Sequence, residues 1–362
     1  MAGKTEDLRF MSRAIELARR GEGKTGFRPL VGCVIVKKGK IIAEAQPNDK
    51  GLPHAEALAL KKAGRRAEGA TLYVNLEPCS WHKDKVAPAC CEAVANAGIA
   101  RVVCAIKDPH PKINGRGIRF LRKAGIEVSV GLCRKEAGAL NEQWTKFITK
   151  GLPFVVLKMA VSLDGKIWSE RTKAISNRME LEYAHRLRSK YQAILVGVGT
   201  IAKDNPRLTS RIPGGHDPVR VIIDSELRSS VDAKAFSNAN AMVFTTSRAD
   251  KEKADSLRKK GIAVYGAGNG REVDLGEVLR KLAEMKISGV MVEGGRGMAT
   301  SFLDKRMVDK VIMAIAPKIL GRGVGLVGDS LNTGIMLKDV EIAILGDNAV
   351  VSGYPIYGKI IR

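Results

Sequence analysis

The spacing of hydrophobic positions changes repeatedly along the chain, and the changes mark alternating helices and strands. Residues 7–20 place Leu8, Met11, Ile15 and Ala18 on one helical face, and Gly21 and Gly23 end that helix. Residues 31–36 form a short apolar run. Lys37-Lys38-Gly39-Lys40 then has the composition of a hairpin turn into Ile41-Ile42-Ala43. An Ala- and Leu-rich stretch from His54 to about residue 63 predicts a second helix, with His54 and Glu56 in its first turn. Residues 71–76 predict a strand, and Glu77-Pro78-Cys79 leaves its end. Pro88-Ala89-Cys90 precedes a helix at 91–98, so Cys90 sits near a helix N-terminus, where the macrodipole favours a thiolate. A strand at 101–106, a helix at 117–124 and a short strand at 126–130 complete a βα alternation. That alternation predicts a mixed sheet with helices on both faces.

An amphipathic stretch at 134–150, carrying Leu140, Trp144, Phe147 and Ile148, reads as a connecting helix broken by Gly151-Leu152-Pro153. This places a boundary between domains at 1–150 and 151–362. Beyond it, strands are expected at 154–161, 193–198, 219–224, 242–246, 289–293, 308–316 and 342–345. Helices are expected at 180–191, 250–260 and 298–304, a tight turn at Asp164-Gly165, and a closing strand within 346–362. Both halves are therefore expected to be three-layer α/β domains.

Composition sharpens the picture in three ways. At 362 residues and 45% hydrophobic, the chain has material for two cores. Its first residues are polar, and no apolar run approaches the ~20 residues of a membrane helix, so a cytoplasmic protein with no membrane partner is expected. Six cysteines in so long a chain do not form a disulfide framework, and Cys33 and Cys104 lie in apolar runs, where burial is expected. The net charge is +23, with 28 basic and 15 acidic side chains in residues 1–150 and 33 and 23 in the remainder. No basic arm concentrates the excess, and aromatics at 5% are too few for a base-stacking platform. The charge therefore reads as a basic surface suited to phosphorylated small molecules, with no nucleic acid partner.

One combination carries chemistry. His54-Ala55-Glu56 stands at a helix start, Pro78-Cys79 follows the next strand, and Cys90 opens the next helix. An imidazole and two thiolates make a three-ligand zinc site with one position open, whereas structural zinc usually has four protein ligands. Zinc lowers the pKa of a bound water to about 7, and Glu56 is placed to move protons rather than to bind metal. This is the H-x-E…P-C…C pattern of zinc-dependent nucleobase deaminases. Cys91 beside Cys90 leaves the third ligand ambiguous, because neighbouring side chains point differently. In the second half, Gly294-Gly295-Arg296-Gly297 between a strand and a helix suits phosphate approach to backbone N–H groups, but alone it is equally a structural turn.

The chain resembles the bifunctional deaminase–reductase family of riboflavin biosynthesis over about residues 8 to 330. The first half matches in Pro29-Leu30-Val31-Gly32-Cys33-Val34, His54-Ala55-Glu56, Leu76-Glu77-Pro78-Cys79-Ser80, Cys90-Cys91, Asp108-Pro109 and Gly115-Arg116-Gly117. The second half matches in the segments 157–166, 196–200, 204–209 and 292–295. The resemblance implies a cytidine-deaminase-like N-terminal fold with zinc on His54, Cys79 and Cys90, and Glu56 as proton shuttle. It implies a dihydrofolate-reductase-like C-terminal fold holding NADPH with Ala160, Thr200, Asp204, Ser225 and the loop Gly295, Arg296, Gly297, Met298, Ala299, Thr300 and Ser301. Thr172, Arg188, Leu208, Arg211 and Glu293 would hold a phosphorylated pyrimidine substrate. Guanidinium forks on Arg188 and Arg211 match phosphate oxygens. The implied activity is deamination of 2,5-diamino-6-ribosylamino-4(3H)-pyrimidinone 5′-phosphate followed by reduction of its ribosyl group, and family members commonly self-associate. Three places depart from the pattern: Arg28 replaces an Asn, the Cys79–Cys90 segment is two residues longer with His82, Lys83 and Lys85 available for recognition, and Ala174 replaces a Trp. The alternative reading is a diverged paralogue with one active half or another pyrimidine substrate.

Overall fold

The structure is a computed structural model that describes residues 2–47, 52–81, 89–170, 172, 174–331 and 334–358. It divides into two compact units, Met1–Gly151 and Leu152–Arg362.

The first unit begins with α1 (Ala2–Arg19), then β1 (Cys33–Lys37), β2 (Lys40–Ala45), α2 (Ala55–Ala63) and β3 (Thr71–Leu76). It continues through α3 (Cys90–Asn96), β4 (Arg101–Ile106), α4 (Arg116–Lys123), β5 (Glu127–Val130), α5 (Arg134–Leu140) and α6 (Glu142–Lys150). The strands form a sheet in the order β2-β1-β3-β4-β5, with β3, β4 and β5 parallel and β1 antiparallel to both neighbours. Successive strand residues point to opposite faces. Cys33, Ile35, Leu72, Val74, Val102 and Cys104 pack on one side with α2 and α3. Val34, Val36, Tyr73, Val103 and Ala105 pack on the other with α1 and α5. Cys33 and Cys104 are fully buried, as their apolar flanks predict. The stretch 134–150 is two helices rather than one. They meet at buried Asn141, whose side chain accepts from the Leu30 N–H and donates to the Leu30 carbonyl.

The second unit runs β6 (Phe154–Ser162), β7 (Lys166–Trp168), α7 (Arg178–Lys190), β8 (Ala193–Gly197), α8 (Val198–Asp204) and β9 (Val219–Ile223). It continues with β10 (Ala241–Thr245), α9 (Lys251–Lys259), β11 (Ala263–Gly266), α10 (Leu275–Glu284), β12 (Gly289–Val292) and α11 (Arg296–Asp304). It ends with β13 (Lys310–Ala316), β14 (Val324–Gly325), β15 (Ile335–Leu345) and β16 (Asn348–Tyr357). Among the described residues the main sheet has the order β11-β10-β9-β8-β12-β6-β13-β16-β15, and β7 pairs with β14 separately. The main sheet is parallel through β13 and closes with an antiparallel hairpin. Both faces are covered near its centre. Leu157, Leu195 and Val292 pack on the side of α10 and α11, and Val156, Ile194 and Met291 on the side of α7 and α9. Strands buried on both faces read as continuous apolar runs, which is why they were legible in the sequence.

Candidate active sites

In the first unit, two helix starts and one strand end converge. His54 precedes α2 with extended backbone (φ −63°, ψ 155°), Cys79 follows β3, and Cys90 is the first residue of α3. His54 Nδ1 lies 3.2 Å from Cys90 Sγ and 3.3 Å from Cys79 Sγ, and one donor atom from each of the three residues lies within 4.8 Å of the others. Tetrahedral zinc, with Zn–S about 2.3 Å and Zn–N about 2.0 Å, sets its ligands some 3.5–4 Å apart, so this donor set fits the ion. Cys91 is turned into the hydrophobic core, where burial pushes its thiol up to about 11. The Cys90–Cys91 ambiguity therefore resolves in favour of Cys90 as the residue at the cluster.

Glu56 is buried at 3% exposure, and its Oε2 has no hydrogen-bond partner among the described residues. A buried, unpartnered carboxylate oxygen is costly unless something else engages it. Burial raises the Glu56 pKa, an effect opposed by the adjacent His54 charge. Such a carboxyl is suited to taking and giving a proton.

Sequence reasoning missed the buttress of this site. Glu77 is buried between β3 and Pro78-Cys79. Its Oε2 accepts from the N–H groups of Asp108 (3.0 Å) and Gly115 (2.9 Å). Its Oε1 accepts from Gly117 (2.9 Å) and Ile118 (3.2 Å). One carboxylate thus ties the turn bearing Cys79 to the start of α4. Gly117 is required there, since a Cβ would lie 2.0 Å from the Pro78 carbonyl oxygen. The only sequence signal was an acidic residue between an apolar strand and Pro-Cys. His82, Lys83 and Lys85 lie outside the described residues.

In the second unit a cavity of about 760 Å³ opens at the C-terminal ends of parallel strands, the usual ligand position in such sheets. Of the residues singled out above, Ala160, Thr200, Asp204, Ser225, Gly295, Arg296, Gly297, Met298 and Ser301 line it, with Arg188, Leu208 and Glu293. Four do not. Ala299 is fully buried in the core beneath α11. The Thr300 hydroxyl donates to the Arg296 carbonyl and accepts from the Gly328 N–H. Thr172 donates its hydroxyl to the Ala174 carbonyl. Arg211 lines a neighbouring surface cleft, its Nε 3.3 Å from Thr209 Oγ1. Helix geometry explains the first two, because consecutive residues of α11 cannot all face one side.

Charge is organised at this cavity. Arg188 makes a bidentate contact with Glu293, Nε and one terminal nitrogen each at 2.9 Å. Lys158, the one charged residue of β6, has Nζ 2.6 Å from Glu180 Oε1 and 3.9 Å from Glu293 Oε1. Burial acts to raise the Glu293 carboxyl, but Arg188 and Lys158 outweigh it and hold it below its ordinary value. Sequence reasoning passed over Lys158 and Glu180. A lone lysine in a buried strand was the available signal, because such a charge needs a partner. Leu208 and Arg211 both adopt positive φ, at 57° and 54°, a conformation that costs energy for such residues and recurs at functional sites. Trp168 and Ala174 both line the cavity, so an aromatic side chain is present although position 174 lacks one.

Comparison with known proteins agrees with this two-part arrangement. Residues 4–106 match the family model of the cytidine and deoxycytidylate deaminase zinc-binding region, and residues 153–351 match the RibD C-terminal domain. The riboflavin biosynthesis protein RibD of Aquifex aeolicus is 40% identical over 95% of this chain and 97% of its own. The Escherichia coli RibD is 36% identical over 87% and 89%. The crystal structure of a diaminohydroxyphosphoribosylaminopyrimidine deaminase/5-amino-6-(5-phosphoribosylamino)uracil reductase from Thermotoga maritima superimposes with a TM-score of 0.84 at 35% identity, covering 98% of this chain and all of that one. The diverged-paralogue alternative finds no support in these likenesses. With both halves matched and near-complete coverage, the chain belongs to the RibD family of bifunctional riboflavin-biosynthesis enzymes, a zinc-binding deaminase joined to a reductase.

Proposed function

We propose that residues 1–150 deaminate 2,5-diamino-6-ribosylamino-4(3H)-pyrimidinone 5′-phosphate and that residues 151–362 then reduce its ribosyl group to ribityl with NADPH. The observation that carries the first half is the convergence of His54 Nδ1 with two thiols beside a buried carboxylate oxygen that has no partner among the described residues. His54, Cys79 and Cys90 would hold zinc, which when bound polarises water for attack on the ring carbon bearing the 2-amino group. Glu56 takes the proton of the attacking water and delivers it to the departing amine, so that water is consumed and ammonia leaves. Glu77 keeps Cys79 in register with α4 while this happens.

In the second half, Gly295 and the first N–H groups of α11 would receive the dinucleotide's phosphates, with Arg296 beside them. NADPH, when bound there, would supply the hydride. Arg188, fixed by Glu293, presents its remaining N–H groups to the substrate. Lys158, between Glu180 and Glu293, holds at Nζ the proton that reduction consumes. Arg211, outside the cavity, is left for the substrate's phosphate tail.

The chain acts in the cytoplasm on this reading. The cysteines are free, and among the described residues no helix is long and apolar enough to cross a membrane. We infer that self-association uses the outer hairpin, a reading supported by Ile342 and Ile344, which are 69% and 67% exposed on the terminal strand of the sheet. Ile344→Glu should then lower the mass measured in solution.

The deciding experiment replaces Glu56 with Gln. Ammonia release should fall by at least 100-fold, on the order of a general acid–base contribution, while zinc per chain, and NADPH oxidation when the deaminated intermediate is supplied, persist. Undiminished ammonia release would remove Glu56 from the mechanism.

A further inference from the structure

Strand β7 and helix α8 meet at the 760 Å³ cavity, where the Lys203 ammonium stands 3.2 Å from the centroid of the Trp168 ring. Both side chains line the cavity, together with Thr200, Asp204 and Arg296. The indole is held in place from its backbone. Trp168 pairs with Val324 of β14, and Gly323 passes so close that a Cβ there would lie 2.3 Å from the Trp168 carbonyl oxygen. The lysine is held only loosely. It lies in the last turn of α8, it is exposed, and among the described residues it makes no ion pair. The other cations deep in the cavity are already engaged, Lys158 by Glu180 and Arg188 by Glu293.

A cation on an exposed indole is favoured by only about two- to fivefold. A phosphate offers Lys203 a stronger, charge-assisted partner. Among the described residues Trp168 is the one aromatic side chain lining this cavity, and its half-buried indole offers a flat ring a stacking face. We propose that Trp168 and Lys203 are a paired cofactor-positioning device. The dinucleotide's redox ring takes the indole face that the ammonium covers, and the displaced Lys203 pairs with a phosphate of the same dinucleotide. The inference rests on the reading that this cavity holds NADPH, and it names which side chains set the affinity.

The chain has three tryptophans, Trp81, Trp144 and Trp168, and only Trp168 belongs to the second unit. The test is NADPH titration of the full-length protein, followed by indole emission and by calorimetry. Wild type should bind with quenching. Trp168→Ala should lose most of the quench and weaken NADPH binding about tenfold, with KM rising more than kcat falls. Trp168→Phe should restore most of the affinity, which a merely structural role would not predict if Trp168→Ala unfolds at the wild-type temperature. Lys203→Met should weaken binding and flatten its dependence on salt. A loss confined to NADPH would assign the 2′-phosphate as Lys203's partner. An equal loss with NADH would assign the pyrophosphate. Wild-type affinity in both Trp168→Ala and Lys203→Met would overturn the inference and leave the NADPH reading intact. Failure of the wild type to bind NADPH would overturn that reading itself.

Discussion

Replacing Glu77 with Gln isolates the structural support of the deaminase site from its chemistry. The carboxylate accepts four backbone N–H groups, two on each oxygen, all in buried surroundings. The amide keeps one oxygen, which still accepts two of them. Its NH2 group faces the other two N–H groups, donor against donor. Each buried N–H left unpaired costs about 1–3 kcal/mol, so the substitution should destabilise the first unit by about 2–6 kcal/mol. For a unit of this size even the lower figure moves Tm by roughly 4–8 °C. The assay is residual activity after heating, read separately for the two half-reactions. The temperature at which ammonia release is lost should drop by at least about 4 °C, and that for NADPH oxidation should not move. Zinc should also leave Glu77→Gln more readily, because the Cys79 turn has lost its tie to α4. Unchanged heat resistance of ammonia release, with zinc fully retained, would refute the argument that this carboxylate organises the site.

Two further outcomes follow from the geometry. Cys90→Ser should abolish zinc binding, whereas Cys91→Ser should leave about one zinc per chain, as metal analysis of the purified variants would reveal. Asp164 accepts from Ser162 Oγ and from the N–H groups of Leu320 and Gly321, and these bonds hold its carboxyl down at about 2. Because the folded pKa lies below the unfolded one, this stabilisation is complete above about pH 4 and is lost as the pH falls through about 2. The Tm gap between wild type and Asp164→Asn should therefore narrow across that acid window, and a constant gap would contradict the assignment.

Much of the fold was open to inspection in the residues. Buried parallel strands such as β8 and β12 are continuous apolar runs, and α1 carries Met11, Ile15 and Ala18 on its core face at helical spacing, although Leu8, assigned to that face, is exposed. Where inference stopped, local signals were weak. Helix α8 has only seven residues and begins Val-Gly, so no helix was expected after the strand at 193–198. Strands β7 and β14 pair over three and two residues, too short to show a period. Strand β15 runs eleven residues, but only its last four were expected, because charges and a bulge near Lys338 interrupt its alternation. The glycine run 294–297 was legible as a helix entrance, although not which of the following side chains would face the cavity.

The sequence by itself determined the chemistry of the sites. Residue type and order alone point His54, Glu56, Cys79 and one of Cys90 and Cys91 towards a metal-and-proton role, because ligand chemistry and proton exchange are properties of side-chain type. The tertiary structure decided which groups act on one another. Glu77 reaches donors 31 to 41 residues away, Arg188 meets Glu293 across 105 residues, and Lys203 meets the Trp168 ring from another element. Each of these contacts depends on the packing of separate elements onto one sheet, and Coulomb and hydrogen-bond energies depend on that distance rather than on position along the chain.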